Sequence, residues 1–205
     1  MAKKEDVRGS NGVTRLIFVR HGETEENKAK ISQGQQPGKL SEEGIAQAKK
    51  VAARLKDEKI DFIYSSDLDR CRHTTQEVIK YHKAPVEYTT EARERSIGVF
   101  EGRPKGQFQE AEMRLPDYKP EKGESLNELH ERARKFIEGI LKKHRGKTIL
   151  ISSHGGLVRM AMANLLGMTI NDAMDIKLGN TAVSVIEVSS DGRAKAVCLN
   201  CMKHL

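Results

Sequence analysis

Three short runs of consecutive apolar residues constrain this chain more than any other feature. Leu16-Ile17-Phe18-Val19, Phe62-Ile63-Tyr64 and Ile149-Leu150-Ile151 carry no polar residue at either alternate position. A strand built from any of them therefore presents apolar side chains on both faces and needs a sheet covered on both sides. Between the runs the period changes. Ile45, Ala48, Ala52 and Leu55 recur at helical spacing behind Ser41, a suitable N-cap. Ser125 and Glu128 form a capping-box pair, followed by Leu129, Ala133, Phe136 and Ile140 on one face, with Gly146 as a stop. Strands alternating with amphipathic helices predict a three-layer α/β/α fold with a mostly parallel central sheet.

The remaining segments fit around that frame. Residues 1–12 lack periodicity and contain Gly9, Ser10, Asn11 and Gly12, which predicts a flexible leader before one domain over 13–205. Val183 to Val188 and Ala194 to Leu199, separated by Ser189-Ser190-Asp191-Gly192, predict a closing β-hairpin, so the sheet is mixed. Residues 102–123 differ in character: Pro104, Pro116 and Pro120 interrupt them and charges are frequent. They predict an excursion that partly caps one edge of the sheet, with a short helix around Gln107 to Met113.

Several function classes fall away on composition. The formal charge is +7, but 32% of the residues are charged, with both signs spread along the chain. That favours anionic partners only weakly. There is no zinc-finger spacing, no RNP-type aromatic motif and no basic arm longer than Lys3-Lys4, so a nucleic-acid partner is not expected. The apolar runs fall far short of the roughly 20 residues of a membrane span, and Met1 to Gly12 is too polar for a signal peptide. A soluble, cytoplasmic protein is expected, with no membrane partner; the oligomeric state is left open. Three cysteines do not make a disulfide framework. Cys198 and Cys201 form C-x-x-C with His204 beyond, but on a final strand and tail rather than at a helix start, so neither is assigned a role.

In open α/β sheets ligands bind beyond the carboxyl ends of the strands. The first run ends in Arg20-His21-Gly22-Glu23, the second in Ser65-Ser66 with Arg70 soon after, and the third in Ser152-Ser153-His154-Gly155-Gly156. Two histidines and two arginines thus converge on one edge. An arginine is poorly placed at the positive end of a helix dipole, so Arg70 requires the neighbouring Asp67 and Asp69 or a bound anion. Gly22, Gly155 and Gly156 allow close backbone approach and free N–H groups for an anion. This set suits phosphoryl transfer: arginines clamp the phosphoryl oxygens, and a neutral imidazole attacks phosphorus to form a phosphohistidine. A cysteine loop of the C-x5-R type is missing, since Glu77 lies six after Cys71 and His204 six after Cys198. No G-x-x-x-x-G-K-[ST] loop and no H-E-x-x-H helix occur either.

The residues resemble the histidine phosphatase superfamily, the phosphoglycerate mutase-like enzymes. Arg20-His21-Gly22-Glu23-Thr24 with Asn27 looks like its signature. The likeness continues through Leu40-Ser41-Glu42-Glu43-Gly44, Tyr64 to Arg70, Arg93-Glu94-Arg95, Glu101-Gly102, Gly123-Glu124-Ser125, Ser153-His154-Gly155-Gly156 and Asn180-Thr181. The resemblance implies that His21 is the phosphorylated nucleophile, that Arg20, Arg70 and His154 bind the phosphoryl group, and that Glu94 donates the proton. It further suggests that Asn27, Gln33, Gly34 and Gly155 contact substrate. No metal or cofactor is expected. Mutases of the family typically continue from the glutamate as Glu-Arg-His-Tyr-Gly, whereas this chain has Glu94-Arg95-Ser96-Ile97-Gly98, and its 102–123 segment is short. The compact phosphatase branch is therefore favoured over a phosphoglycerate mutase or a non-catalytic phospho-ligand binder, with a small phosphorylated substrate left unnamed. Arg103 and Lys105 are candidates for contact with a second anionic group, although solvated surface charge is the preferred reading.

Overall fold

The computed structural model describes residues 12–109 and 111–205. Apart from Gly12, the leader expected over 1–12 lies outside the described residues. The first apolar run forms β1 (Thr14–Arg20), the second β2 (Phe62–Ser66) and the third β4 (Thr148–Ser153). A short β3 (Val86–Thr89) and the hairpin strands β5 (Val183–Val188) and β6 (Ala194–Cys201) complete a six-stranded sheet in the order β3-β2-β4-β1-β5-β6. The first four in that order are mutually parallel, and β5 runs antiparallel to both β1 and β6. The sheet is thus mixed through the predicted hairpin, which turns at Gly192 with φ +87°.

The continuous apolar runs are explained by burial on both faces. Leu16 and Phe18 of β1, with Ile149 and Ile151 of β4, face one apolar cluster, whereas Ile17, Val19 and Leu150 face the other. The first cluster is closed by α4 (Leu126–Lys143), α5 (Gly155–Leu166) and α6 (Ile170–Asp175). The second is closed by α2 (Glu42–Leu55) and α3 (Asp69–Val78). A single turn, α1 (Glu25–Lys28), follows β1.

The predicted helices form with two corrections of detail. Both partners of the Ser125–Glu128 capping box are in place, and Leu129, Ala133, Phe136 and Ile140 are buried as the spacing requires. On α2, Ala48, Ala52 and Leu55 are buried, but Ile45 is 43% exposed and Gly44 takes the inward position. The reason is a close approach, since a Cβ on Gly44 would lie 1.9 Å from the Glu23 carbonyl oxygen. Second, the described residues of 107–113 form no α-helix; one 3-10 turn forms at Glu112–Arg114 instead. The prolines and the missing apolar periodicity deny that segment a helical face to bury. Hydrogen bonds to a buried arginine help to tie down the 102–123 segment: Arg95, 6% exposed, donates to the carbonyls of Met113 and Tyr118 at 2.6 and 2.9 Å, and to that of Glu124, just beyond it, at 2.7 Å. Among the described residues no helix is long and apolar enough to cross a membrane.

Candidate active site

β1 and β4 lie side by side with Arg20 opposite Ser153, so the residues that follow both strands emerge at one edge. The His21 N–H donates to the Ser153 carbonyl at 3.0 Å and extends the ladder by one residue. The chain then turns at Gly22, where a Cβ would meet the Gly44 carbonyl oxygen at 2.5 Å. The Gly22 N–H donates to Thr74 Oγ1 at 3.1 Å, and the Thr74 hydroxyl donates to the Arg70 carbonyl at 2.7 Å. The turn that carries His21 is therefore fixed to both α2 and α3.

His21 is 3% exposed, and its Nδ1 lies 2.7 Å from the Gly22 carbonyl oxygen. A carbonyl only accepts, so Nδ1 carries the hydrogen and Nε2 keeps its lone pair. Burial, then the nearby Arg70 and Arg20, hold the imidazole well below the ordinary histidine value, against a smaller upward pull from the Gly22 hydrogen bond. The ring is thus neutral across the physiological range, as a nitrogen nucleophile requires.

Arg70 is 1% exposed and has no carboxylate partner among the described residues. Asp67 is taken by Arg93, with contacts of 2.7 and 2.6 Å. The 33–38 loop supplies what the aspartates do not. Arg70 donates to the carbonyls of Gly34 (2.8 Å), Pro37 (3.1 Å) and Gln36, and its Nε donates to His154 Nδ1 at 3.1 Å. His154, fully buried, passes the chain on from Nε2–H to Ser66 Oγ at 2.8 Å. Burial and Arg70 push His154 well below the ordinary value, as they do His21, and the two rings lie 5.2 Å apart. Cys71 is also buried there, and burial pushes its thiol up to about 12, so it stays protonated.

Arg20 directs Nη1 at the Leu178 carbonyl, while its buried Nε has no acceptor among the described residues. Glu94 is held at both oxygens by backbone donors, Arg95 N–H at 2.8 Å and Gly156 N–H at 3.0 Å. Arg20, His21, Arg70 and Glu94 all line one cavity of about 400 Å³, as do Asn27, Gln33, Gly34 and Gly155. His154 does not line it and stands behind Arg70. Asn27 also has a structural task, since its Oδ1 accepts from Thr24 N–H (3.2 Å) and Asn180 Nδ2 (3.3 Å). Lys105 reaches the cavity wall, whereas Arg103 sits over the Phe100 ring. Among the described residues no group of three or more His, Cys, Asp or Glu side chains is gathered as a metal site would need.

The tasks of three residues in this region were not assigned from the sequence. Arg159 lines the cavity from α5, and its signal was present: it lies four residues after Gly155, on the same helical face. Arg95 anchors the 102–123 segment. Glu101 accepts from the Gln35 and Ile97 N–H groups, both at 3.1 Å, and so braces the loop that holds Arg70. No local pattern announces these two tasks, because the Arg95 contacts and the Glu101 contact with Gln35 span long sequence separations.

Two arginines lining one cavity with a neutral histidine at the carboxyl edge of a mixed α/β sheet define a class, and sequence comparison agrees with it. The chain belongs to the histidine phosphatase superfamily, branch 1, whose family model matches residues 16–201. A metal-independent phosphoserine phosphatase of Arabidopsis thaliana is 33% identical, over 84% of this chain and 79% of the relative. A broad-specificity phosphatase of Saccharomyces cerevisiae is 34% identical, over 89% and 83%. Among solved structures, a phosphoserine phosphatase of Entamoeba histolytica in complex with phosphoserine superposes with a TM-score of 0.83 at 27% identity, covering 94% of this chain and 99% of that one. The chain is, accordingly, a phosphoric monoester hydrolase.

Proposed function

We propose that this enzyme hydrolyses the phosphate monoester of a small metabolite, without a metal, by forming and then hydrolysing a phosphohistidine on His21. The observation that carries the reading is the buried, acceptor-free Nε–H of Arg20 beside a neutral imidazole whose Nδ1–H is already engaged. A buried unpaired donor of a charged group costs free energy unless an anion completes it, and a phosphoryl oxygen does so. Arg70 and Arg20 stabilise charge on the phosphoryl oxygens. His21 Nε2 bonds to phosphorus as the ester P–O bond breaks, and Glu94 transfers its proton to the departing oxygen. In the second step water attacks the phosphohistidine, its proton passes to Glu94, and the N–P bond breaks to free phosphate and neutral His21. His154 acts from behind, fixing the plane of Arg70 through the 3.1 Å bond to Nε. Asn27, Gln33, Gly34 and the Gly155 N–H complete the wall around the bound ester.

Transfer to water rather than to a second phosphoglycerate is favoured by the brevity of the 102–123 segment and by Ser96-Ile97 standing where mutases of the family continue with His-Tyr. The relatives named as phosphatases support the same choice. A cytoplasmic setting fits three cysteines that are all free.

The test is phosphate release from p-nitrophenyl phosphate and a metabolite panel in EDTA. Turnover is expected to persist, and His21→Ala is expected to abolish both release and acid-labile phosphate labelling of the protein. Loss of turnover in EDTA, or turnover that survives His21→Ala, contradicts the mechanism.

A further inference from the structure

The segment that carries Glu94 lies beyond the sheet, and an arginine outside the cavity holds it. Past β3 the chain makes one 3-10 turn at Thr90–Ala92 and continues extended through Arg93. The carbonyls of Glu91, Arg93 and Glu94 therefore fall outside the strand ladder, which ends at Thr89. Arg132 of α4 takes all three. Its Nη1 donates to the carbonyls of Glu91 at 2.8 Å and Arg93 at 2.9 Å, and its Nη2 to that of Glu94 at 3.1 Å. The remaining donors meet Glu124, Nε on Oε1 and Nη2 on Oε2, both at 2.9 Å. The five N–H groups of the guanidinium are thus fully engaged.

The pair rests on a rigid element. Arg132 follows Leu129 and precedes Ala133, both buried on the core face of α4, and Glu124 stands directly before the N-cap Ser125. The Glu124 N–H also donates to the Ser96 carbonyl at 2.8 Å, so the end of α4 grips the chain on both sides of Glu94. Gln35 Nε2 gives the Glu94 carbonyl a second donor at 3.1 Å. The Glu94 carboxylate itself has only backbone donors, Arg95 N–H and Gly156 N–H. One of them belongs to the same segment, so the carboxylate moves with its own main chain. A general acid must lie within hydrogen-bond reach of the oxygen it protonates, and a misplacement of about 1 Å can cost about a hundredfold in rate.

We propose that Arg132, oriented by Glu124, is a positioning residue for proton transfer by Glu94. It fixes the main chain from which the acid reaches the departing oxygen and takes no part in clamping the phosphoryl group. The task suits arginine alone, since a planar fork meets three carbonyls and one carboxylate at once, whereas an ammonium is a single point of charge with three donors. This inference rests on the reading of Glu94 as the acid and adds to it what holds the acid in place.

Leaving groups differ in their need for that proton. 2,4-Dinitrophenolate departs as a stable anion, whereas the phenolate of phenyl phosphate is a far stronger base. The measurement is kcat/KM on both esters for the wild type, Arg132→Met, Arg132→Lys, Glu94→Gln and the double variant Arg132→Met with Glu94→Gln. The ratio of the two values does not depend on how much of a variant is folded, so a destabilised protein still reports. Arg132→Met is expected to lose about 10- to 100-fold on phenyl phosphate and about threefold or less on 2,4-dinitrophenyl phosphate, with Arg132→Lys in between. Glu94→Gln is expected to show a larger contrast in the same direction. In the Glu94→Gln background, Arg132→Met should cost phenyl phosphate no more than it costs the dinitrophenyl ester. Equal losses on both esters for Arg132→Met, or a selective loss that persists in the double variant, overturn the positioning role and leave Glu94 as the acid. Equal losses on both esters for Glu94→Gln overturn the acid and the inference together.

Discussion

At the scale of single residues, the electrostatics of His21 set the acid limit of the enzyme. Its value lies well below the ordinary 6.5 because the imidazolium would be buried beside Arg70 and Arg20. A nucleophile whose value is lowered keeps its lone pair into acid, so protonation removes activity only far below 6.5. Since kcat/KM reports the free enzyme, its acid limb is expected below the ordinary histidine value, once corrected for the ionisation of the substrate phosphate. Weakening one source of the shift should move that limb. Arg70→Met, besides lowering kcat/KM by about two orders of magnitude or more, is expected to shift the residual acid limb upward, toward 6.5. An unmoved limb would mean that the profile follows some other group. Sequence alone placed His21, Arg20, Arg70 and His154 at this edge, because each follows a strand whose double-faced apolar run is legible. It left the sign of the His21 shift open, since burial, the dominant cause, depends on what covers the edge. Glu94 was reached only through family likeness, for its neighbours Arg93 and Arg95 make it look like any surface carboxylate.

At the scale of elements, the catalytic turn depends on how closely α2 approaches it. Gly22 and Gly44 touch through backbone atoms, and a Cβ on either would overlap a carbonyl oxygen, at 2.5 and 1.9 Å. Helical periodicity assigned the inward position to Ile45 because hydrophobicity is all that such a pattern weighs; the requirement at the helix start was for the absence of a side chain. Gly44→Ala therefore tests function and not only packing. It should lower stability by about 1–3 kcal/mol through overpacking and lower kcat by about tenfold or more, because the displaced backbone carries His21. Leu55→Ala, at the far end of the same helix and 2% exposed, should cost about 2–5 kcal/mol with kcat nearly intact at temperatures where the variant is folded. Urea melts paired with kcat for the two variants decide the matter. If Gly44→Ala loses stability alone, the contact is a packing detail without catalytic consequence. The 102–123 segment makes the converse point. Two of its carbonyls, those of Met113 and Tyr118, are held by Arg95, and such long-range bonds leave no periodic trace in a sequence, so the 3-10 turn that forms in place of the expected helix was not legible there.

For the molecule as a whole, the same buried histidines that make the site work tie its stability to pH. His21 and His154 are both held well below 6.5, chiefly by burial and next by Arg70. His130, His144 and His204 are lowered by partial burial and act in the same direction. In the unfolded chain each takes up a proton near 6.5; in the folded protein it does so only at lower pH. Between those values the unfolded state binds more protons, so stability rises with pH. The contribution is complete above 6.5 and is lost progressively as pH falls toward the folded-state values. The loss is bounded at about 1.4 kcal/mol per pH unit for each fully shifted histidine. Unfolding free energies from urea titrations at pH 7.5, 6.5 and 5.5 should therefore fall more steeply across the lower interval than across the upper one. This interval lies above the range where the paired carboxylates of Asp67 and Glu128 begin to protonate, since both are held below their ordinary values. His154→Asn removes one of the two fully buried rings. It should cost stability at pH 7.5 through the broken Arg70–His154–Ser66 chain, yet flatten the fall between 6.5 and 5.5. A variant with an unchanged slope would show that the acid sensitivity arises elsewhere in the molecule.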